Sequence, residues 1–539
     1  MKNLRYIIMA SAALVAMSCT KNFLEKNTNP EEATEEMMGW DGLSTGSAFA
    51  QMTRNVIPSY QIIGDEEYGS ANYQVVQDLI GNLFAGYIGN VNTGFNATNV
   101  YAITARDWYE AMFNDAYTRA TGSWVELDNV RDEFPEEAAL GDILKVAVMH
   151  RVTDTYGPIP YSQLGQGAVT MSYDSQESIY KSFFDELDGA IETLTTFWQA
   201  QPNTTLLERY DNVFSGNVQK WIKYANTLRL RLAMRVVYAD ETLALAQAAE
   251  ALANPVGLMT TADDIAALHK PAAGAWEYPL YQIQYSFDDA RIGATIETYM
   301  NGYNDPRRAN YFTAVTGETG TEYHGVRNGI SVTEAYINST SLSRINCTNN
   351  DDLMWMSPAE AWFLKAEYYL RTGDEAQAKQ CYEEGVRVAF SVTGASGADS
   401  YLADDENTPD TFTDVVDSGN SYSTDLTDCT VAWEDGGQFE TNFEKIITQK
   451  YIAIFPEGQE AWSEFRRTGY PHVIPYSINN SNGDIDTDQQ VRRLNYPATE
   501  YRTNAANVSA AVSTLNGESS QGQGDNGGTR VWWDKNPRF

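Results

Sequence analysis

Apolar residues recur at helical spacing in several blocks of this 539-residue chain, and those blocks predict a mostly α protein. In PAEAWFLKAEYYLRTGDEAQAKQCYEEGVRVAF, residues 358–390, six residues stand where a tetratricopeptide unit brings two antiparallel helices together. They are Ala366, Tyr369, Gly373, Ala378, Tyr382 and Gly385. Segment 221–252 gives a second hairpin, with Trp221, Ala225 and Leu228 in the corresponding places and Leu232 and Val236 extending the stripe. A third helix runs from Asp174, with Asp174 and Glu177 read as a capping box and Ile179, Phe183, Leu187, Ala190 and Leu194 following at helical spacing. Further helices are expected over 138–153, Phe443–Phe455 and Gln459–Thr468, punctuated by Pro456 and Gly458, then by Gly469 and Pro471. After the first of these comes GPIPYS, in which Gly157 permits a sharp exit and Pro158 and Pro160 stiffen a strut that delivers Tyr161.

Between the helical blocks the period breaks. Residues 254–350 and 396–440 are rich in Gly, Asn, Asp, Thr and Tyr, the composition of long loops that carry function. The chain therefore reads as a tetratricopeptide-like helical-hairpin scaffold, about 104–252, 353–395 and 440–470, bearing irregular insertions. No linker divides residues 35–539, which are expected to form a single domain.

The first 18 residues change the picture. Lys2 and Arg5 precede an apolar run, Tyr6 to Met17, that is too short to span a bilayer, and Ser18 stands before Cys19. Residues 1–18 read as a lipoprotein signal peptide, Cys19 as the acylated residue and 19–34 as a flexible tether, so the membrane is reached only through the lipid anchor. Cys347, Cys381 and Cys429 remain; three cannot all pair, and their spacing matches no zinc site. With 37 basic and 73 acidic residues the net charge is −36, which excludes nucleic acid and anionic lipid as partners.

Enzyme motifs find no context. GLSTG at 42–46 fits a nucleophile elbow, but no βαβ pattern surrounds it. His150, His269, His324 and His472 are scattered and form no ligand spacing. Alternating oxygens in NNSNGDIDTDQQ, 479–490, suggest calcium, yet the EF-hand Gly and Glu are missing and a solvated loop is the reading; GESSQGQGDNGGTR, 517–530, reads as a turn-rich segment. No cofactor is expected. The 33 Tyr and 12 Trp are more telling, because a ring in a loop can stack on a sugar while Asn, Asp and Arg take its hydroxyls. The candidates outside the repeats are Trp276, Tyr278, Tyr281 and Tyr285 in WEYPLYQIQY and Tyr336 in TEAYINST, then Tyr73 and Tyr87, with Asn72, Asn90 and Arg291 as hydroxyl partners.

Several stretches occur together in a recognisable order: the lipoprotein start, DTYGPIPYS at 154–162, WIKYANTLRLRLAMR at 221–235, NDPRR at 304–308, SPAEAWFLKAEYYLRTGD at 357–374, QKYIAIFPEGQEAWSEFRRTGYP at 449–471 and RRLNYPATE at 492–500. This set resembles the SusD/RagB family of outer-membrane nutrient-binding lipoproteins. The resemblance implies a SusD-like fold and a non-enzymatic, surface-exposed lipoprotein. Such a protein would capture an oligosaccharide and deliver it, as a hinged lid, to a SusC-like TonB-dependent transporter. It also implies that the Gly-Pro-x-Pro-Tyr segment is structural; RRTGYP and Arg492–Arg493 read likewise, as arginines pairing with carboxylates or carbonyls. Three alternatives stay open: a peptide-binding member of the same family, a surface glycoside hydrolase, and a helical-repeat adaptor that binds only protein.

Overall fold

The structure is a computed structural model, and it describes residues 42–58, 61–63, 66–68, 70–102, 107–168, 170–271, 276–317 and 320–538. By internal contacts the chain forms two units, Met1–Ser47 and Ala48–Phe539. Of the first only residues 42–47 are described, so the signal segment, Cys19 and the tether lie outside the described residues.

The second unit is built on helical hairpins. The first joins α1 (Pro135–Tyr156) to α2 (Gln176–Ala200), the second α3 (Val218–Arg235) to α4 (Glu241–Ala253), and the third α5 (Pro358–Arg371) to α6 (Glu375–Thr393). Helix α7 (Phe439–Ala453) packs on α5, and α8 (Gly458–Thr468) packs on the turn of helix Gln74–Asn82. Local chemistry sets the ends: Asn217, Asp240 and Asp374 cap α3, α4 and α6 by accepting the backbone N–H three residues on, and Pro158 follows a Gly157 held at φ 84°. In the third hairpin Ala366, Ala378 and Tyr382 are buried, and Gly385 lies under the Phe363 ring where a Cβ would meet it at 2.9 Å. The tetratricopeptide spacing thus marks a close helix approach.

One cap differs from expectation. The N-cap of α2 is Ser175, whose hydroxyl accepts from the N–H of Ser178. Asp174 serves the strut instead: its carboxylate accepts from the N–H groups of Tyr161 (3.0 Å) and Ser162 (2.7 Å) and from the Ser162 hydroxyl (2.8 Å). Tyr161 then donates to Glu186 on α2 at 2.5 Å, and Lys145 of α1 reaches the same carboxylate at 2.8 Å. The proline segment is a brace that fastens α1 to α2.

Several helices were illegible in the pattern, Leu43–Thr53 and Gln74–Asn82 among them. Helix Ala294–Gly302 sits inside the 254–350 insertion, and α9 (Ala505–Glu518) follows the last motif. In α9 only Val508, Ala511 and Leu515 are buried, too few apolar residues to make a stripe. The described strands form only two-stranded antiparallel sheets, among them β1 (Ile88–Asn90) with β2 (Ala290–Ile292). Ser44 of GLSTG lies within helix Leu43–Thr53, where no nucleophile elbow exists. Cys347, Cys381 and Cys429 are free thiols.

Buried charge joins the helices. Arg231 and Arg235 on α3, Lys450 on α7 and Arg467 on α8 meet Glu360 and Glu367 of α5 and Glu460 and Glu464 of α8. The pairs include Arg231–Glu360 at 2.6 Å, Arg235–Glu460 at 2.5 Å, Arg235–Glu464 at 3.1 Å, Lys450–Glu360 at 3.2 Å and Arg467–Glu367 at 2.6 Å. All eight side chains are nearly inaccessible. Spacings of four and seven residues put the charges of each helix on one face. Burial alone would push the carboxyls up, but Arg467, Lys450 and Arg235 outweigh it and hold Glu464 at about 2; Arg235, Arg231 and Lys450 likewise lower Glu460 well below the usual carboxylate range, and Arg467 and Arg371 lower Glu367.

These carboxylates titrate below their unfolded range of roughly 4.3, so the stability they contribute is present above that pH and is lost as pH falls toward about 2. Thermal melts should therefore drop steeply between about pH 4.5 and 2.5. Removing one partner, as in Arg235→Met, leaves buried carboxylates uncompensated and should cost about 3–5 kcal/mol in urea unfolding at pH 7. A loss within about 0.5 kcal/mol, the range of an ordinary surface change, would refute the coupling.

Candidate functional site

The aromatic stretch at 276–287 leaves the helical scaffold and is fastened along its length to segment 345–351. Trp276 donates its indole N–H to the Asp351 carbonyl at 3.1 Å, and the Tyr278 N–H reaches the Asn349 side-chain oxygen at 3.2 Å. Gln282 donates to the same oxygen at 3.0 Å, and the Tyr285 hydroxyl donates to the Ile345 carbonyl at 2.7 Å. Short turns at Pro279–Tyr281 and Gln282–Ser286 put residues 281 and 285 on one face, and their rings stack with centroids 4.9 Å apart and planes 22° from parallel. Tyr285 is 36% exposed and Phe287, two residues on, 45%; with Tyr501 they are the exposed large aromatic residues among the described residues.

The surroundings are polar, with charge at Arg344, Asp288 and Asp351. Asn346, Thr348 and Asn350 are exposed on the backing segment, and Asn349 is half-buried. Arg344 stands 5.6 Å from the Tyr285 ring centroid but is committed to Asp288 at 2.5 Å and to the Gln284 carbonyl at 2.9 Å. Burial pushes Tyr285 up to about 12 and the Cys347 thiol up to about 12, so both stay neutral at ordinary pH and Cys347 is no thiolate nucleophile. The site can stack and hydrogen-bond. Among the described residues no three His, Cys, Asp or Glu side chains are grouped to hold a metal ion.

The structure brings together part of the expected set. Trp276 and Tyr281 are half-buried beside Tyr285, and the turn Ser70–Tyr73 packs on Pro279–Tyr281, bringing half-buried Asn72 to the same neighbourhood, where it donates to Asp115 at 2.8 Å. Other expected contacts are corrected, because their rings or polar ends are consumed inside the protein. Tyr73 and Tyr278 are buried beneath the platform. Tyr87 is fully buried against Tyr451 and Phe455 and donates to the Tyr451 carbonyl. Asn90 is buried on β1 and bonds to Asn92. Arg291, opposite Gly89 on β2, pairs with Asp288 at 2.7 Å and with the Ala290 and Ile337 carbonyls. Tyr336 belongs to a separate small core with Val91, Val326 and Ile330, where its hydroxyl donates to Asp414 at 2.8 Å and accepts from Asn420 at 2.6 Å. Sequence reasoning missed Phe287 and the backing segment 345–351; Phe287 continues the aromatic run and was visible in principle, whereas the backing segment is a long-range pairing with no local signal.

Comparison with known proteins follows from this geometry. The model of the family described as SusD-like, Susd and RagB outer membrane lipoprotein, matches residues 25–534. A solved structure of a chitin-binding SusD homologue from Flavobacterium johnsoniae is 36% identical, with a TM-score of 0.83, covering 92% of this chain and 100% of its own. A SusD homologue from Bacteroides thetaiotaomicron is 36% identical with a TM-score of 0.82, covering 91% of this chain and 99% of its own. One from Bacteroides uniformis is also 36% identical at a TM-score of 0.82, covering 92% and 99%. No curated protein matches the chain.

The division between buried and exposed tyrosines is testable. Tyr336→Phe leaves the Asp414 carboxylate short of a buried partner and should lower the unfolding free energy by about 1–3 kcal/mol in urea titration. Phe287→Ala, at an exposed position, should stay within about 0.5 kcal/mol of the parent protein. The reverse order would mean the two rings are wrongly placed.

Proposed function

Because the chain belongs to the SusD-like family of outer membrane lipoproteins, we propose that it captures an oligosaccharide at the cell surface and hands it, uncleaved, to a SusC-like TonB-dependent transporter. The observation that carries this reading is the outward-facing aromatic loop, the stacked Tyr281–Tyr285 pair with Phe287 beside it. Flat, rigid rings offer the C–H face of a sugar a large contact at little entropic cost, while the amides and hydroxyls of Asn346, Thr348 and Asn350 suit its hydroxyl groups. The solved relative described as chitin-binding makes an N-acetylated glycan the first ligand to test.

Affinity at such a site is modest. Each hydrogen bond to the sugar replaces one to water, and an open platform stays wet. A polymer that visits many lipoproteins on one membrane compensates by multivalency. Anchoring through Cys19 leaves the folded unit outside the bilayer, in keeping with the fact that no described helix is long and apolar enough to cross a membrane.

Native gels cast with a soluble chitin derivative, starch or xylan, together with a labelled peptide pool, test the reading on the mature chain. Retardation by one glycan is expected, weakened about tenfold or more by Tyr285→Ala, which corresponds to roughly 1.4 kcal/mol. Trp362→Ala, which removes a half-buried scaffold ring bonded to the Thr260 carbonyl, should leave retardation intact. Binding to the peptide pool with silence on every glycan would transfer the platform to the peptide-binding alternative, and release of shortened product would favour a hydrolase.

A further inference from the structure

The two polar segments at 479–490 and 517–530 contain no helical pattern, and folding places them against one another. Between residues 483–492 and 521–528 lies a cavity of about 560 Å³. That volume falls within the roughly 300–1,000 Å³ of small-molecule sites. From its chemistry we infer a second sugar-binding site, for one or two neutral, hydroxyl-rich residues of the same glycan; the inference rests on the glycan reading above.

The walls are held in place before any ligand arrives. Arg492 is buried and tied to Asp534 at 2.6 and 2.8 Å, and its backbone N–H donates to the Gly527 carbonyl at 2.7 Å. Arg530 crosses from the other segment to the Gln489 side-chain oxygen at 3.2 Å. The segments touch at Gly528, where a Cβ would lie 1.9 Å from the Asp484 carbonyl oxygen, so only glycine allows the approach. Ordered walls of this kind reduce the entropy lost on binding.

The lining selects the ligand class. Gln490, Gln521 and Gln523 present amides, which both donate and accept, and Asp484 and Asp486 add carboxylate acceptors, while the Asn526 amide braces the wall through the Gln523 carbonyl, the Gly528 N–H and the Thr529 hydroxyl. No aromatic residue lines the cavity, so recognition is by hydrogen bonding rather than stacking. Its guanidinium, Arg492, is occupied by Asp534 and by the Gln489 and Arg466 carbonyls, which disfavours anions. Gln490 is the decisive residue. It is only 4% exposed as a whole residue, sits at φ 60° where a side chain is rarely accommodated, and lines the cavity. The adjoining crevice it also borders is about 10 Å³, room for at most one water, so a ligand would reach this amide from the cavity side.

Two sites of different character on one chain would grip a glycan at two points, one by stacking and one by hydrogen bonds, and raise its residence. The test uses saturation-transfer NMR on the mature chain with chitotetraose and maltotetraose as probes, with circular dichroism melts to verify folding. The wild type should show transfer to one probe, Tyr285→Ala should retain a part of it, and Tyr285→Ala with Gln490→Leu should lose the remainder. Gln521→Ala, on the exposed opposite wall, should weaken the residual binding about threefold to tenfold in the Tyr285→Ala background. Loss of all transfer in Tyr285→Ala alone would overturn the second site and leave the proposed function standing. Residual transfer that survives both Gln490→Leu and Gln521→Ala would also overturn it. Displacement of the residual signal by millimolar calcium, with sugar no longer competing, would reassign the cavity to a cation, and absence of transfer in the wild type would remove the glycan reading itself.

Discussion

Everything in this fold depends on a neutral knot of buried charge. Four cations and four carboxylates from α3, α5, α7 and α8 meet out of contact with water, in a protein whose net charge is −36. Each ion forfeits several kcal/mol of hydration, and only its partners repay that loss. A partly assembled knot is worse than none, because it leaves a charge buried alone. The four helices must therefore arrive together and in register, which makes the knot a source of specificity as well as cohesion. Asp154 extends it outward: near Arg235 it also accepts from Tyr180 on α2 and from the Trp533 indole, at 2.5 and 2.7 Å, and so docks the returning C-terminus.

A scaffold locked in this way can carry irregular chain. The long insertions have few helical or strand bonds of their own, so their backbone groups are satisfied by side chains and by distant loops. Segment 276–287 illustrates the device, since its bonds to 345–351 span about sixty to seventy-five residues of sequence and hold two rings at a fixed offset. The brace at Ile159–Ser162 works similarly, with one carboxylate, Asp174, organising three donors. Rigidity at the base and irregularity at the rim are two consequences of the same packing.

The helical part of the fold was legible because its periodicity is strong. Ala366, Ala378, Tyr382 and Gly385 sit at a helix contact, as the tetratricopeptide spacing requires, and the arginines of RRTGYP and Arg492–Arg493 are buried and partnered, as their reading as structural pairs requires. Helix α9 was hidden by its small residues, and the α2 cap moved one residue because Asp174 had a more demanding use. The candidate site was legible only in part. Trp276, Tyr281 and Tyr285 cluster near the surface, but Tyr87 and Tyr336 are inside, since a tyrosine in a loop-like stretch looks the same whether its hydroxyl meets water or a buried carbonyl. Phe287 went unnoticed although it continues the same run.

By itself the sequence determined the elements whose signal is local: the strongly periodic helices, an acidic composition, and an ordered set of motifs specific to one family. These follow from spacing and residue type, which are properties of neighbouring residues. Only the tertiary structure decided which aromatic rings face outward, which carboxylate answers which guanidinium, and that two polar segments thirty residues apart enclose an amide-lined cavity. Those are contacts between residues far apart in the chain, and no local pattern records them, because the same side chain is core or surface according to what folds over it.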